Sequence, residues 1–298
     1  MKYNELGKSD IKVSEIGFGC MSLGTDHAVN KALLLKALDN GINFFDTADL
    51  YQQGQNEVTL GKAFKGLREK VYLATKVGNQ WRPDGSGWYW NPSKDYILAA
   101  VESSLQRLQT DYIDLYQLHG GTIDDPIEET IEAFELLKQQ GKIKQYGISS
   151  IRPNVIREYS SRSAISSVML QYSLLDRRPE ETVVPLLAQN QVGILARGSL
   201  AQGLLAGKAP KAYLEHSAQN VQHAAETIHA LVADKYNAAE VAIRFALQQP
   251  GITSAILGIR TENQLKDALA AAHAAPLSEE QLMALRASIP AHTYALHR

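Results

Sequence analysis

The chain has 298 residues, a formal net charge of −2 at pH 7, an apolar fraction of 45% and a charged fraction of 21%. This composition predicts a soluble globular protein with a large core and excludes extensive disorder. The charge balance gives no broad basic surface for nucleic acid or anionic lipid, so neither is expected as a partner.

Cys20 is the single cysteine of the chain. One cysteine forms neither an internal disulfide nor a cysteine-rich zinc site, which predicts a reducing, cytoplasmic location. The first ten residues are polar and charged, and no stretch approaches the roughly 18 apolar residues that span a bilayer, so no membrane insertion is expected. His216, His223, His229 and His273 lack convergent carboxylates at metal-binding spacing, so no metal is expected.

Short β-rich segments alternate with longer helical patterns along the whole chain. First, residues 2–6 and 11–13 flank a Gly-Lys-Ser-Asp turn and predict an N-terminal hairpin. Strands are then predicted at residues 16–19, 43–46, 72–76, 113–119, 143–149, 167–171, 193–197 and 253–257. Helices are predicted at residues 93–108, 127–139 and 278–287, among others.

The alternation of strand and helix is typical of a parallel sheet with crossover helices. Eight such units favour an α/β protein built as a single (β/α)₈ TIM barrel, with the hairpin plugging one end and an extra C-terminal helix. No linker divides the sequence, so residues 1–298 are predicted to form one domain.

Two long connections, residues 77–91 and 198–220, follow the third and seventh predicted barrel strands. Both therefore belong to the C-terminal face of the barrel, where such barrels carry their active sites. The first connection contains Trp81, Trp88 and Trp90, every tryptophan of the chain. These rings either wall a pocket for an organic substrate or pack the connection onto the barrel, and the sequence leaves both interpretations open.

Three predicted strands end in polar residues that a core does not favour: Asp46, Lys76 and His119. Tyr51 follows Asp46 by five residues, so all four side chains should meet at one rim. Since a neighbouring ammonium favours phenolate, Lys76 is predicted to lower the pKa of Tyr51. Asp46 would pair with Lys76, and a neutral His119 would donate a hydrogen bond to a carbonyl oxygen. Together these groups predict polarisation and protonation of a carbonyl.

Several motifs then become recognisable along nearly the whole chain. They are DTADLY at residues 46–51, TK at 75–76, DLYQLH at 114–119, GFGCM at 17–21, KIKQYGIS at 142–149 and AQGLLAG at 201–207. They resemble the signatures of the aldo-keto reductase superfamily, in the form of a bacterial aldo/keto reductase related to potassium-channel β subunits. The resemblance implies a catalytic tetrad of Asp46, Tyr51, Lys76 and His119.

The resemblance also implies NADP(H) bound in extended form across the C-terminal barrel face. No Gly-x-Gly-x-x-Gly motif lies between a strand and a helix, so no separate dinucleotide fold is predicted. Arg260, at the start of a helix, would bind the 2′-phosphate of NADP. The implied cofactor residues are Gly19, Cys20, Met21, Ser149, Ser150, Gln171, Arg197, Gly198, Ser199, Leu200, Ala201, Gly203, Leu257, Gly258, Ile259, Arg260 and Gln264.

The sequence departs from the common pattern of the family at four places. Ser150 replaces an Asn, Leu257 a Pro, and Ala268 an Asn that contacts adenine, while Arg197 stands where an aromatic ring stacks on the nicotinamide. Arg197 would lie flat against that ring or interact with the phosphates.

The implied function is NADPH-dependent reduction of a small-molecule aldehyde or ketone, with Tyr51 as the general acid. Two alternatives stay open. One is a nucleotide-binding regulatory subunit that senses redox state with little turnover. The other is a Schiff-base aldolase that uses Lys76 as nucleophile, which a paired Asp46 disfavours because it keeps the lysine protonated. The oligomeric state is not predicted.

Overall fold

The structure, a computed structural model, describes residues 1–232 and 237–298. The strands are β1 (Tyr3–Glu5), β2 (Lys12–Ser14), β3 (Ile16–Gly19), β4 (Phe44–Asp46), β5 (Tyr72–Val77), β6 (Asn79–Trp81), β7 (Trp88–Trp90), β8 (Ile113–Leu118), β9 (Ile143–Ser149), β10 (Ser167–Gln171), β11 (Gly193–Arg197) and β12 (Ile252–Gly258). The α-helices are α1 (His27–Asp39), α2 (Gln55–Ala63), α3 (Lys94–Leu108), α4 (Ile127–Gln139), α5 (Pro153–Arg162), α6 (Val183–Gln189), α7 (Ala218–Leu231), α8 (Ala238–Leu247), α9 (Glu262–His273) and α10 (Glu279–Ala287).

Eight parallel strands form a closed barrel in the order β3, β4, β5, β8, β9, β10, β11 and β12, and β12 pairs with β3 to close it. This confirms the predicted (β/α)₈ barrel. Each barrel strand lies where the sequence predicted one, and the ends differ by one residue at most. Helices between the strands cover the outside of the barrel, as the alternating pattern requires.

Two helices show how local sequence determines their boundaries. The side chain of Ser93 accepts a hydrogen bond from the backbone N–H of Tyr96 at the start of α3. Ser278 and Gln281 form a reciprocal capping box at the start of α10. These side chains satisfy backbone donors that would otherwise lack a partner in the first helical turn. Both serines therefore cap the helices that were predicted to start with them.

The N-terminal hairpin of β1 and β2 is antiparallel, as predicted. Three apolar side chains of the hairpin and the turn that follows β1, Leu6, Ile11 and Val13, pack in one cluster with inward-facing residues of the barrel strands. The turn requires glycine at position 7, where φ is +60° and a Cβ atom would lie 2.3 Å from the carbonyl oxygen of Ser166. The hairpin thus plugs the N-terminal end of the barrel.

The connection of residues 77–91 contains a second antiparallel hairpin, made of β6 and β7, that the sequence analysis did not predict. It projects from the C-terminal end of β5. Across the described parts of the chain, the helices are all too short or too polar to cross a bilayer.

Candidate active site

The polar residues at the barrel mouth result from the alternation of side chains along each strand. Residues that face the barrel interior are apolar at mid-strand and are followed two positions later by a polar residue. The pairs are Phe44 and Asp46, Ala74 and Lys76, Leu115 and Gln117, Met169 and Gln171, and Leu195 and Arg197. Because parallel strands end at the same face, the polar partners meet at the C-terminal mouth.

Lys76 and Asp46 form a buried ion pair at this mouth, as the sequence predicted. The Lys76 Nζ atom lies 2.7 Å from Asp46 Oδ2, 2.6 Å from the carbonyl oxygen of Thr47 and 3.4 Å from the Tyr51 hydroxyl. An ammonium has three N–H donors, so these three acceptors fix its position. Burial lowers the pKa of Lys76, but the charges of Asp46 and Tyr51 outweigh it and the net pKa is raised. Lys76 therefore stays protonated, which disfavours its use as a Schiff-base nucleophile.

Lys76 lowers the pKa of Tyr51, as predicted, but this effect does not decide the net shift. Burial of the Tyr51 hydroxyl raises its pKa above the ordinary value, and the opposing effect of Lys76 is smaller. Asp46 adds to the increase because its negative charge disfavours phenolate. Tyr51 is thus neutral across the physiological pH range, and the neighbouring ammonium has the charge that would stabilise a phenolate.

His119 lies beside Tyr51, and the two rings meet edge to face with their centroids 5.7 Å apart. Burial, followed by the charges of Lys76 and Arg197, lowers the pKa of His119 to about 3. The ring is therefore neutral, as the sequence predicted. Its Nδ1 atom is buried and has no hydrogen-bond partner among the described residues. A neutral imidazole keeps one N–H to donate, which suits an uncharged acceptor such as a carbonyl oxygen.

A cavity of about 580 Å³ opens above Tyr51, lined by Met21, Leu50, Gln52, Gln53 and Trp81. Its volume suits an organic molecule of moderate size. Of the residues that carry the predicted tetrad, Tyr51 is the one that lines this cavity.

The three tryptophans of the β6–β7 hairpin divide between the two interpretations that the sequence left open. Trp81 lines the cavity. Trp90 anchors the hairpin, since its indole N–H donates to Asp125 Oδ1 at 2.9 Å and its ring packs against Gly78. Trp88 is 50% exposed.

The predicted nicotinamide residues lie at the ends of neighbouring strands. Gln171 ends β10 and pairs in register with Arg197 at the end of β11, while Ser149 ends β9. The guanidinium of Arg197 donates to Gln171 Oε1 at 3.2 Å, and the Gln171 amide donates to the Tyr213 hydroxyl at 3.0 Å. The charge of Arg197 also lowers the pKa of Tyr51 and of His119. Arg197 therefore lies at the tetrad side of the mouth.

The segment after β11 turns sharply through left-handed backbone conformations. Ala201, Gln202 and Gly203 have φ values of 45°, 60° and 91° in succession. The backbone N–H groups of Ala201 and Gly203 donate to the carbonyl oxygens of Gly198 and Leu200, both at 2.8 Å, so these two donors are used within the turn. The buried Ser199 hydroxyl has no hydrogen-bond partner among the described residues. Lys208 adds a positive charge here, with its Nζ atom 2.8 Å from the carbonyl oxygen of Gln202.

The start of α9 carries the residues predicted to bind the adenosine half. Thr261 caps the helix, and the Gln264 side chain accepts a hydrogen bond from the Arg260 backbone N–H at 2.9 Å. Arg260 is exposed, and its guanidinium has no hydrogen-bond or ion-pair partner within residues 1–232 and 237–298. Gly258 pairs in register with Gly19, which brings the segment after β12 next to the segment after β3.

Several predicted cofactor residues turn their side chains away from the mouth. Cys20, Ala201 and Ile259 are buried in the core, so they can offer a ligand only backbone atoms. Met21 is exposed and lines the cavity. Gly198, Leu200, Ser150 and Leu257 lie at or just after the C-terminal ends of barrel strands. No group of three or more possible metal ligands is present among the described residues.

Sequence reasoning missed Lys208 and Tyr213, which lie in the connection of residues 198–220. Lys208, directly after the AQGLLAG motif, was a usable signal for a cation near the predicted pyrophosphate path. Tyr213 had no such signal, because its contact with Gln171 depends on how the connection folds back over the barrel.

The chain belongs to the aldo/keto reductase family, whose model matches residues 15–290. It is therefore an oxidoreductase of the class that reduces carbonyl compounds with nicotinamide cofactors.

Among its relatives, the chain is 47% identical to the uncharacterized oxidoreductase YqkF of Bacillus subtilis, over 100% of both chains. It is 36% identical to the NADH-specific methylglyoxal reductase of Escherichia coli, over 74% of this chain and 73% of that protein. Among solved structures, it resembles the holo form of the aldo-keto reductase AKR11C1 from Bacillus halodurans, with a TM-score of 0.95 and 48% identity, over 100% of this chain and 99% of that one.

Proposed function

We propose that this protein reduces aldehydes or ketones with NADPH and that Tyr51 is the general acid. The observation that carries the proposal is the Lys76 ammonium, which is paired with Asp46 and lies 3.4 Å from the Tyr51 hydroxyl at the base of the cavity. The site has the chemistry of proton donation to an oxygen that becomes negative.

Each group of the cluster has a separate task in this proposal. His119 donates a hydrogen bond to the substrate carbonyl oxygen and orients it toward Tyr51. Tyr51 donates its proton to that oxygen, and Lys76 stabilises the phenolate. Asp46 keeps Lys76 charged and in place. The bound cofactor supplies the hydride that the carbonyl carbon accepts.

The residues of the mouth fit an extended dinucleotide. The Ser199 hydroxyl, which has no partner among the described residues, and the Lys208 ammonium suit a pyrophosphate. Gln171 and Ser149 suit the nicotinamide carboxamide, with Arg197 beside the ring.

The choice of NADPH over NADH rests on Arg260. Its guanidinium is exposed beside the N-terminus of α9, where helix backbone N–H groups add positive potential. A 2′-phosphate is the part of NADP that such a site would bind. Family membership does not decide the choice, since the relative from Escherichia coli is named as NADH-specific.

The test is a titration of the purified protein with NADPH and with NADH, followed by absorbance decay on addition of an aldehyde panel. We expect tighter binding of NADPH and aldehyde-dependent oxidation. Tyr51→Phe should lower kcat by at least about 100-fold, because it removes the proton donor, and leave NADPH affinity within about twofold.

Three outcomes would contradict the proposal in different ways. Equal turnover by Tyr51→Phe would remove Tyr51 as the acid. Tighter binding of NADH would remove the role given to Arg260. Tight nucleotide binding without turnover of any aldehyde or ketone would favour the regulatory subunit.

A further inference from the structure

A second group of buried polar residues lies outside the barrel wall, behind the strand that carries Lys76. Thr75 faces outward from β5 because side chains alternate along a strand. Its hydroxyl donates to Glu57 Oε1 at 2.6 Å, and Arg107 Nε donates to Glu57 Oε2 at 2.6 Å. The Glu57 side chain is fully buried. This carboxylate is therefore satisfied by one cation and one hydroxyl.

Asp49 lies in the same group but is poorly satisfied. It is 8% exposed, and its Oδ1 atom is buried without a hydrogen-bond partner among the described residues. Its Oδ2 atom accepts a long hydrogen bond of 3.5 Å from the Tyr96 hydroxyl. Meanwhile the Asp49 backbone N–H donates to the carbonyl oxygen of Lys76 at 3.3 Å. Asp49 therefore has one carboxyl oxygen without a hydrogen-bond partner among the described residues. Its backbone is bonded to the strand that carries Lys76, and it lies two residues before Tyr51.

The charges of the group do not balance when Asp49 is ionised. Glu57 on α2 and Asp49 are two carboxylates, and Arg107 on α3 is the cation they share. The other groups that face Asp49 are phenols, Tyr96 on α3 and Tyr116 on β8. Burial, followed by the charge of Glu57, raises the pKa of Asp49 to about 7, and Arg107 offsets part of this, together with hydrogen bonds from the Leu50 backbone N–H and the Tyr96 hydroxyl. Asp49 therefore changes charge near neutral pH.

We propose that Asp49 is a positioning residue whose bound proton is needed for the reduction. While the carboxyl is neutral it stays buried, and the Asp49 backbone N–H keeps its hydrogen bond to the Lys76 carbonyl oxygen, which holds the Tyr51 hydroxyl next to Lys76. Ionisation leaves a second negative charge in a space with one cation, which displaces this segment and slows proton donation. The inference rests on the proposed role of Tyr51 as acid.

A fall in activity near pH 7 would point to Asp49, because three residues of the proposed tetrad have pKa values far from 7. The pKa of His119 is lowered to about 3. The pKa values of Tyr51 and Lys76 are raised above their ordinary values, which already lie near 10. Burial raises the pKa of Asp46 as well, so a variant must separate Asp46 from Asp49.

The experiment measures kcat for aldehyde reduction at saturating NADPH between pH 5.5 and pH 9. The wild type should lose up to about tenfold in kcat per pH unit above pH 7, the behaviour of one essential proton. Asp49→Asn, which mimics the neutral carboxyl, should lose this decline and keep its kcat to high pH. The matched control is Asp114→Asn. It replaces a buried carboxylate that Arg68 pairs with at 2.6 Å, and it should keep the decline.

Thermal unfolding gives a second measurement that does not use activity. The folded protein holds the Asp49 proton up to about pH 7, whereas the unfolded chain releases it near pH 4. The Asp49 carboxyl therefore destabilises the fold increasingly as pH rises from 4 to 7. Asp49→Asn should gain Tm relative to the wild type between pH 5 and pH 8.

A wild-type profile without a decline between pH 6 and pH 8, or a decline that persists in Asp49→Asn, would overturn the inference. If Asp49→Asn does not fold, Glu57→Gln replaces it. That variant removes the charge that raises the pKa of Asp49, so the decline should move to lower pH, and an unmoved decline would overturn the inference. Absence of turnover at every pH would overturn the proposed function and this inference together.

Discussion

Lys76 determines the geometry of the tetrad because its ammonium donates to three acceptors of one short segment, residues 46–51. Two of these acceptors, Asp46 Oδ2 and the Thr47 carbonyl oxygen, lie closer to it than the Tyr51 hydroxyl does. The position of Tyr51 therefore depends on a charge pair from which water is excluded.

Lys76→Met should lower the free energy of unfolding at pH 7 by roughly 3 to 5 kcal/mol, since it leaves the Asp46 carboxylate buried and unpaired. Asp46→Asn combined with Lys76→Met should recover part of this loss, because it removes the stranded charge. Urea unfolding of both variants measures the difference. A single variant as stable as the wild type would show that water reaches Asp46.

For single residues, the sequence predicted that Asp46 pairs with Lys76, but it did not predict how deeply the two side chains are buried. The Asp46–Lys76 pair follows from two strand ends and the chemistry of charge. The direction of the Tyr51 pKa shift depends on how much water the neighbouring segments exclude, and no local pattern encodes that. The Asp49 and Glu57 group was missed for the same reason, since its members come from a loop, a helix and the outer face of a strand.

At the scale of elements, the β6–β7 hairpin shows how one side chain can hold a loop. Trp90 packs over two glycines, Gly78 and Gly120, and a Cβ atom at Gly78 would lie 2.6 Å from its ring. The hydrogen bond to Asp125 fixes the other edge of the indole. The sequence predicted a long connection here but not the hairpin, because pairing of two three-residue strands depends on this distant contact.

Trp90→Ala should lower the free energy of unfolding by about 3 kcal/mol, through lost packing and an unpaired Asp125. Trp88→Ala is the matched control. Trp88 is half exposed, so this change should stay within about 0.5 kcal/mol. Thermal unfolding and the rate of proteolysis within residues 82–87 both report the change. Equal effects of the two variants would mean that Trp90 does not anchor the hairpin.

At the scale of the whole molecule, the two ends of the barrel have separate tasks. The β1–β2 hairpin closes the N-terminal end with apolar side chains, and the polar residues of the candidate site occupy the other end. The order of strands and the closed barrel were predictable because each βα unit leaves its own local pattern. The sequence predicted that the hairpin plugs one end of the barrel. It did not predict how the hairpin is positioned there, since that depends on contacts between residues far apart in sequence.

Gly7→Ala should destabilise the fold by more than about 1 kcal/mol while leaving kcat unchanged, because it forces a Cβ atom against the Ser166 carbonyl far from the candidate site. Gly66→Ala is the control that separates the free-energy cost of backbone strain from the cost of this clash. Gly66 also has a positive φ, +78°, but a Cβ atom there meets open space. The loss should therefore be clearly larger for Gly7→Ala, and an equal loss in both variants would show that no clash occurs.

The barrel also divides the candidate site along the length of the gene. Asp46, Tyr51, Lys76 and His119 lie within the first 119 residues, whereas the proposed coenzyme contacts lie mainly beyond residue 148. On the proposed assignments, mutations that alter coenzyme choice would fall mainly in the second half of the coding sequence and mutations that alter proton transfer in the first. Recombination near the middle of the gene would combine the coenzyme contacts of one parent with the proton-transfer residues of another, and Arg197, whose charge lowers the pKa of Tyr51 and His119, is a residue through which the second half would still act on the first.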